Sequence, residues 1–253
     1  MDSTGIADRI AKELEDEDAD VSDENFFAIK QKPGRASFID GSSYELLSTP
    51  SKDFYLIRIA VERFDGGKRL QETLEDFLCI ANGNETKIIG HDGEEEINSS
   101  SMDMSRSLLE WRSAEEENGT VLIDGSLESP FFDTPKTESM CGVMKSSRVN
   151  TRRMAKRAKE LEFSTWAYEI NKDDFVCRLH SFTNLVFEVQ TEDRDNLAYA
   201  AYYSSDPLIP GYPFGLVEAH RRAKIDSREV KELRALLYAK GINYVELHDF
   251  LEG

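Results

Sequence analysis

The chain has 253 residues, 40% hydrophobic and 10% aromatic, which suits one large domain with an ample core. Its 49 acidic residues against 31 lysines and arginines give a net charge of −18, which excludes a nonspecific nucleic-acid binder relying on overall basicity. Cys79, Cys141 and Cys177 form no CxxC pair, no apolar run reaches the roughly 18–20 residues of a membrane span, and Met1-Asp2-Ser3-Thr4 is no basic-then-apolar leader. The expectation is a protein of the reducing cytoplasm, with no zinc site, disulfide framework or membrane partner.

Residues 5–17 carry Ile6, Ile10 and Leu14 at the spacing of an amphipathic helix. An acidic stretch from Glu15 to Glu24 follows, so residues 1–30 read as helix plus linker and 31–253 as the main domain. After a loop at Pro33-Gly34, Ala36–Ile39 starts a strand that Tyr44–Leu47 continues or turns into a hairpin. Phe54–Phe64 is a second strand and Glu72–Ile80 contains a third, with turns at Gly66-Gly67 and Asn82–Glu85. Residues 88–101 read as a polar loop. Met104–Glu117 is a helix with Asp103 as N-cap, and Thr120–Ile123 is a strand. Pro130–Pro135 is a loop, Cys141–Met144 a short strand and Arg152–Leu161 a helix. Strand-like runs follow at Trp166–Ile170, Phe175–Leu179, Leu185–Val189 and Ala198–Tyr203. Phe214–Ile225 and Glu229–Lys240 close the chain as helices, the latter capped by Ser227, before a short strand and helical turn over Ile242–Leu251.

Two copies of one phrase stand out: Phe38-Ile39-Asp40-Gly41-Ser42 and Leu122-Ile123-Asp124-Gly125-Ser126. Either Asp-Gly alone is a common turn. Each here ends an apolar run, where a carboxylate is costly to desolvate unless a cation or hydrogen bonds compensate it. If the two strands are neighbours, both aspartates hold divalent ions by oxygen ligation, as Mg²⁺ and Mn²⁺ prefer. Three strands with an acid in the first, then a helix, then a strand with a second acid is the order of an RNase H-like core. The expected fold class is therefore α/β, an RNase H-like mixed sheet flanked by helices. Two-metal phosphodiester hydrolysis needs several converging carboxylates. Glu110, set among Leu108, Leu109 and Trp111, is the candidate third ligand. Glu115 is held in reserve, within a Glu115–Glu117 run that looks solvated.

The C-terminal string Asp206-Pro207-Leu208-Ile209-Pro210-Gly211-Tyr212-Pro213-Phe214-Gly215-Leu216-Val217-Glu218-Ala219-His220, with the two Asp-Gly-Ser phrases and Gly142-Val143-Met144-Lys145, resembles the NurA family of archaeal DNA-end-processing nucleases. The resemblance spans residues 38 to 224. It implies a manganese-dependent DNA nuclease with single-strand endonuclease and 5′-to-3′ exonuclease activity. It also implies a role in DNA repair, with a homodimer docking on a hexameric HerA-type ATPase during double-strand-break end resection. Mn²⁺, with Mg²⁺ the alternative, is the implied cofactor, as two ions. Carried over, the family's catalytic positions fall on Asp40, Glu110, Asp124, Tyr212 and His220, with Asp40, Glu110, Asp124 and His220 as metal ligands. His91, His180 and His248 are given no role. The other readings are a catalytically silent assembly partner of a DNA translocase, and an RNase H-like nuclease acting on RNA or RNA–DNA hybrids.

One basic run interrupts the acidic background: Lys145, Arg148, Arg152, Arg153, Lys156, Arg157 and Lys159, with no acid among them. A charge run is usually a solvated helix face. Its functional reading is a lane for DNA, single-stranded or at duplex ends, with Lys145, Arg152, Arg153, Lys156 and Arg157 as contacts.

Overall fold

The computed structural model describes residues 21–98, 101–128, 138–145 and 151–242. The helix expected from Ile6, Ile10 and Leu14, the Pro130–Pro135 loop, Arg148 and the 243–251 segment lie outside the described residues.

Among these residues eleven strands form one sheet. After a short 3-10 turn at Asp23–Asn25 come β1 (Phe26–Ala28), β2 (Arg35–Ser48), β3 (Asp53–Asp65), β4 (Lys68–Asn82), β5 (Glu85–Gly90) and β6 (Gly93–Ile97). Helix α1 (Met102–Glu115) leads to β7 (Thr120–Asp124), β8 (Met140–Met144), α2 (Thr151–Glu160), β9 (Trp166–Glu169), β10 (Asp174–Arg178) and β11 (Phe187–Gln190). Helices α3 (Asp195–Tyr203), α4 (Phe214–Ala223) and α5 (Ser227–Ala239) follow. The strand order is β1-β9-β10-β11-β8-β7-β2-β3-β4-β5-β6.

The centre of this sheet is RNase H-like. β2, β3 and β4 form an antiparallel meander, and β7 and β8 then join beside β2 in parallel. A parallel partner needs a crossover, and α1 provides the one between the meander and β7. Both faces of β2 and β7 are covered, so both read as unbroken apolar runs rather than alternating ones. Phe38 and Leu122 pack with α3 and α4 on one face, while Ile39 and Ile123 pack with α1 on the other. Met154 and Ala158 of α2 cover β9 and β10 on the α1 side, around Trp166 and Val176.

Several sequence expectations change. Residues 88–101 are no loop: β5 and β6 form a hairpin with Ile88 opposite Glu95. Its Glu94-Glu95-Glu96 run hid the strand, because an outer strand keeps solvated acids where an inner one has none. Ala198–Tyr203 is helical, within α3, where Leu197, Ala200 and Ala201 are buried at helical spacing. Its tyrosines suggested a strand, but packing against β7 and β8 decided the outcome. Tyr44–Leu47 continues β2 through an irregularity between Glu45 and Leu47. Ser101 caps α1, its hydroxyl accepting from the Met104 amide at 3.1 Å, so Asp103 is a first-turn acid instead. Asp226, not Ser227, caps α5.

Helix α4 sits close to the sheet. A Cβ added at Gly215 would overlap the ring of Phe38, so only glycine lets the first turn approach this far. Gly215→Ala gains some helix propensity but forces apart a fully buried contact. We expect a net loss of about 1–3 kcal/mol, read as a lowered melting temperature. A variant as stable as the parent would mean that the Phe38 ring yields freely.

Candidate active site

The parallel register places the two aspartates. Ala36 to Ile39 pair with Thr120 to Ile123 in step, and Asp40 and Asp124 are the next residue on each strand. Side chains alternate along a strand, so both point to the face of Phe38 and Leu122, where α4 lies. His220 of α4 completes the group. One ligand atom from each of Asp40, Asp124 and His220 lies within 4.8 Å of the others.

His220 Nδ1 is 2.7 Å from Asp40 Oδ2. The Gly41 amide donates to Asp40 Oδ1 at 3.0 Å. Lys145, one residue past β8, places its ammonium 2.5 Å from Asp124 Oδ2 and 5.4 Å from the centre of the Tyr212 ring. The aspartates are almost fully buried, whereas His220 is 61% exposed along its side chain. Solvent therefore reaches the group from the histidine side.

These contacts leave the carboxylates short of positive charge. Burial raises the Asp40 pKa above its ordinary value, and the Asp124 charge raises it further, against the lowering effect of His220. Tyr212 is held far above its usual range, mainly by burial and then by the Asp124 charge. Asp124 acts on its hydroxyl at a distance, but no hydrogen bond of normal geometry reaches the buried oxygen among the described residues. Two paired carboxylates, an imidazole and a lysine already drawn in as counter-ion fit a hard divalent cation such as Mn²⁺ or Mg²⁺.

Glu110 stands apart from this group. It faces β2 from the α1 side, against Gly41, where an added Cβ would lie 2.6 Å from Glu110 Oε1. Arg106 donates to that oxygen at 2.8 Å. Burial raises the Glu110 pKa to about 8, and Asp40 adds to the rise, although Arg106 opposes it. Glu115 is exposed at the helix end. Glu117 is not solvated as expected: it accepts from Arg63 Nε at 2.8 Å and from Ser37 Oγ at 2.6 Å.

Two supporting residues escaped the sequence reading. Arg106 stands one helical turn before Glu110, an i,i+4 spacing that signals such a pair. Gln190 accepts from Ser126 Oγ at 2.7 Å and from the Leu127 amide at 2.8 Å, fixing the turn behind Asp124. Nothing in the sequence marks it. The basic run is not gathered at the site. Arg152, Arg153, Lys156 and Arg157 lie on α2, over the β9–β10 half of the sheet and on the opposite face from the aspartate side chains. Arg157 is bound to Asp23 at 2.5 Å and to Glu160 at 2.8 Å.

Solved structures share this fold. A NurA nuclease from Sulfolobus solfataricus matches over 96% of each chain with a TM-score of 0.57 at 14% identity. A second NurA structure matches over 93% of this chain and 96% of its own, with a TM-score of 0.58 at 10% identity. The fold is that of the NurA nucleases. A NurA structure determined with manganese matches over 93% of this chain and 97% of its own, with a TM-score of 0.56 at 10% identity. No protein-family model and no curated protein matches the sequence.

The Glu110 shift has a measurable consequence within this NurA fold. A carboxyl with a raised native pKa binds its proton more tightly folded than unfolded, so stability falls as pH climbs between the two values. The window runs from the ordinary glutamate range to about 8. Metal-free protein should lose melting temperature across it, by several degrees as an order of magnitude. Glu110→Gln should flatten the slope. A slope unchanged in that variant would show that Glu110 is already ionised through the Arg106 pair.

Proposed function

We propose that this chain is a metal-dependent DNA nuclease of the NurA type, and that Asp40, Asp124 and His220 form its metal centre. The observation that carries the reading is the matched register of Asp40 and Asp124 facing His220, within the NurA fold. In this reading Glu110, which stands apart on the α1 side, would become a further ligand by losing its proton and releasing Arg106, and Tyr212 borders the centre. When bound, a divalent ion supplies charge stabilisation at the phosphate and acidifies water.

The protein's own groups and solvent account for the remaining needs. Hydrolysis forms a bond from a water oxygen to phosphorus and breaks the one to the leaving nucleotide oxygen. The water proton needs an acceptor and the leaving oxygen a proton. His220 presents Nδ1 to Asp40 and would ligate an ion there through that nitrogen, so its Nε2–H is left as a donor to a phosphate oxygen, and solvent water takes up and returns the two protons. Lys145 lies at the mouth, where its ammonium pairs with a phosphate oxygen once a cation takes over Asp124. Tyr212, kept protonated by burial, retains its O–H as a donor.

The finer reading follows from the resemblance of the motif string. It comprises manganese as the working ion, single-strand endonuclease and 5′-to-3′ exonuclease activity in double-strand-break end resection, homodimerisation, and docking on a hexameric HerA-type ATPase in the cytoplasm. The exposed Arg152 and Lys156 on α2 serve DNA beyond the cleavage point.

Asp40→Asn and Asp124→Asn should each lower Mn²⁺-dependent cleavage of single-stranded DNA by about 10²-fold or more while the protein stays folded. Near-parental cleavage by either variant would remove the metal centre from the reaction. For the distal contacts, the double variant Arg152→Ala/Lys156→Ala should weaken DNA binding. It should also reduce the log–log salt slope by about 0.7–0.9 per lost phosphate contact. An unchanged slope would make α2 a solvated face.

A further inference from the structure

The connection from β10 to β11, residues 179–186, lies at the same end of the sheet as the aspartates. β11 runs antiparallel to β8 with Glu188 opposite Met144, so Phe187 and the loop before it emerge beside Lys145. The Phe187 ring meets that of Tyr212 at 5.3 Å, and Thr183 packs on the backbone of Gly211, next to Tyr212. At the loop tip Phe182 is 88% exposed. On the loop that leads to Tyr212, Leu208 is 87% exposed.

A single exposed apolar residue is ordinary, but this one is held in place. Arg178 donates to the carbonyls of Thr183 and Ser181, both at 2.7 Å. The Phe182 amide donates to His180 Nδ1 at 3.3 Å, and the Leu185 amide to Thr183 Oγ1 at 3.1 Å. The His180 ring stands edge-on to Phe182, with ring centres 5.0 Å apart. Ordering a loop costs conformational entropy, and a phenyl ring fixed in water returns none of it to the free chain. The cost is recovered only when something covers the ring.

We propose that Phe182 is the stacking platform for an unpaired nucleobase, on the strand whose phosphate sits at Asp40 and Asp124. This rests on the nuclease reading above. The occupant follows from charge and shape. In a chain of net charge −18, residues 175–187 contain no aspartate or glutamate, so this loop brings no carboxylate of its own to a phosphate backbone. A rigid aromatic face suits a base of any sequence. A base within an intact duplex has no free face to offer, so the platform selects single strands and frayed ends. Leu208 flanks the same base on the Tyr212 side.

The test uses short single strands carrying 2-aminopurine at stepped positions, bound to the Asp124→Asn protein so that no turnover occurs. One position should be quenched, and Phe182→Ala in that background should abolish the quenching. In the otherwise native protein, Phe182→Ala should raise KM for single-stranded DNA roughly tenfold with kcat little changed, and Phe182→Trp should restore it. Melting temperature and mass by light scattering should stay the same. If the native protein cleaves DNA but Phe182→Ala matches it in KM and in quenching, the platform is wrong. A drop in mass on Phe182→Ala would also overturn it, assigning the ring to contact between two copies of the chain. Absence of cleavage by the native protein would overturn the nuclease reading instead, and the quenching experiment separates the two because it needs no catalysis.

Discussion

Two buried carboxylates on adjacent parallel strands repel each other, and the surrounding architecture is organised around that repulsion. Strand pairing brings Asp40 and Asp124 together at the cost of desolvating both. Each carboxylate then engages one nearby basic group, Asp40 taking His220 and Asp124 taking Lys145. Only Lys145 of the two brings a fixed ammonium charge. The negative charge is thus only partly answered by the protein, and a cation of higher charge has a place already prepared.

The close packing on either side of β2 serves this arrangement. Gly215 lets α4 press on Phe38, which brings His220 within reach of Asp40. Gly41 lets α1 press on β2 from the other face, which brings Glu110 near Asp40 without a direct contact. The first helix supplies an imidazole facing the aspartate pair, and the second sits where the strand would otherwise carry a side chain. Both contacts depend on the absence of a methyl group, so small residues at these points have large geometric effects.

The central fold was legible because its signals are local. The second Asp-Gly-Ser phrase marks the end of β7, whereas the first lies within β2, which runs on to Ser48; the order of strands and helix around the two phrases reads as an RNase H-like core without any contact information. The parts that were not legible depend on tertiary context. In α3 the tyrosines favour a strand, and only burial of Leu197, Ala200 and Ala201 against the sheet makes the segment helical. The β5–β6 hairpin is written in glutamates because its outer strand faces water. At the site, the residues with distinctive chemistry were readable, whereas Gln190 was not, since a glutamine buried behind a turn looks like any other. The basic run was visible as composition, but its direction was not. The buried face of α2 is set by Met154 and Ala158, and the arginines point wherever that face leaves them.

Alternation along β2 has a further consequence for how the chain finds its register. Asp40 faces α4 and Gly41 faces α1, one residue apart. A slip of β2 by a single residue would exchange them. The aspartate would then meet the Glu110 carboxylate in the α1 interface, while the glycine would leave Asp124 with no partner acid. Such a state brings two buried carboxyl groups together and also needs a side chain where none fits. The charge pattern that prepares the site for a cation therefore also penalises the most accessible misfolded pairing, so that one short stretch of sequence encodes both the chemistry and a check on its own alignment.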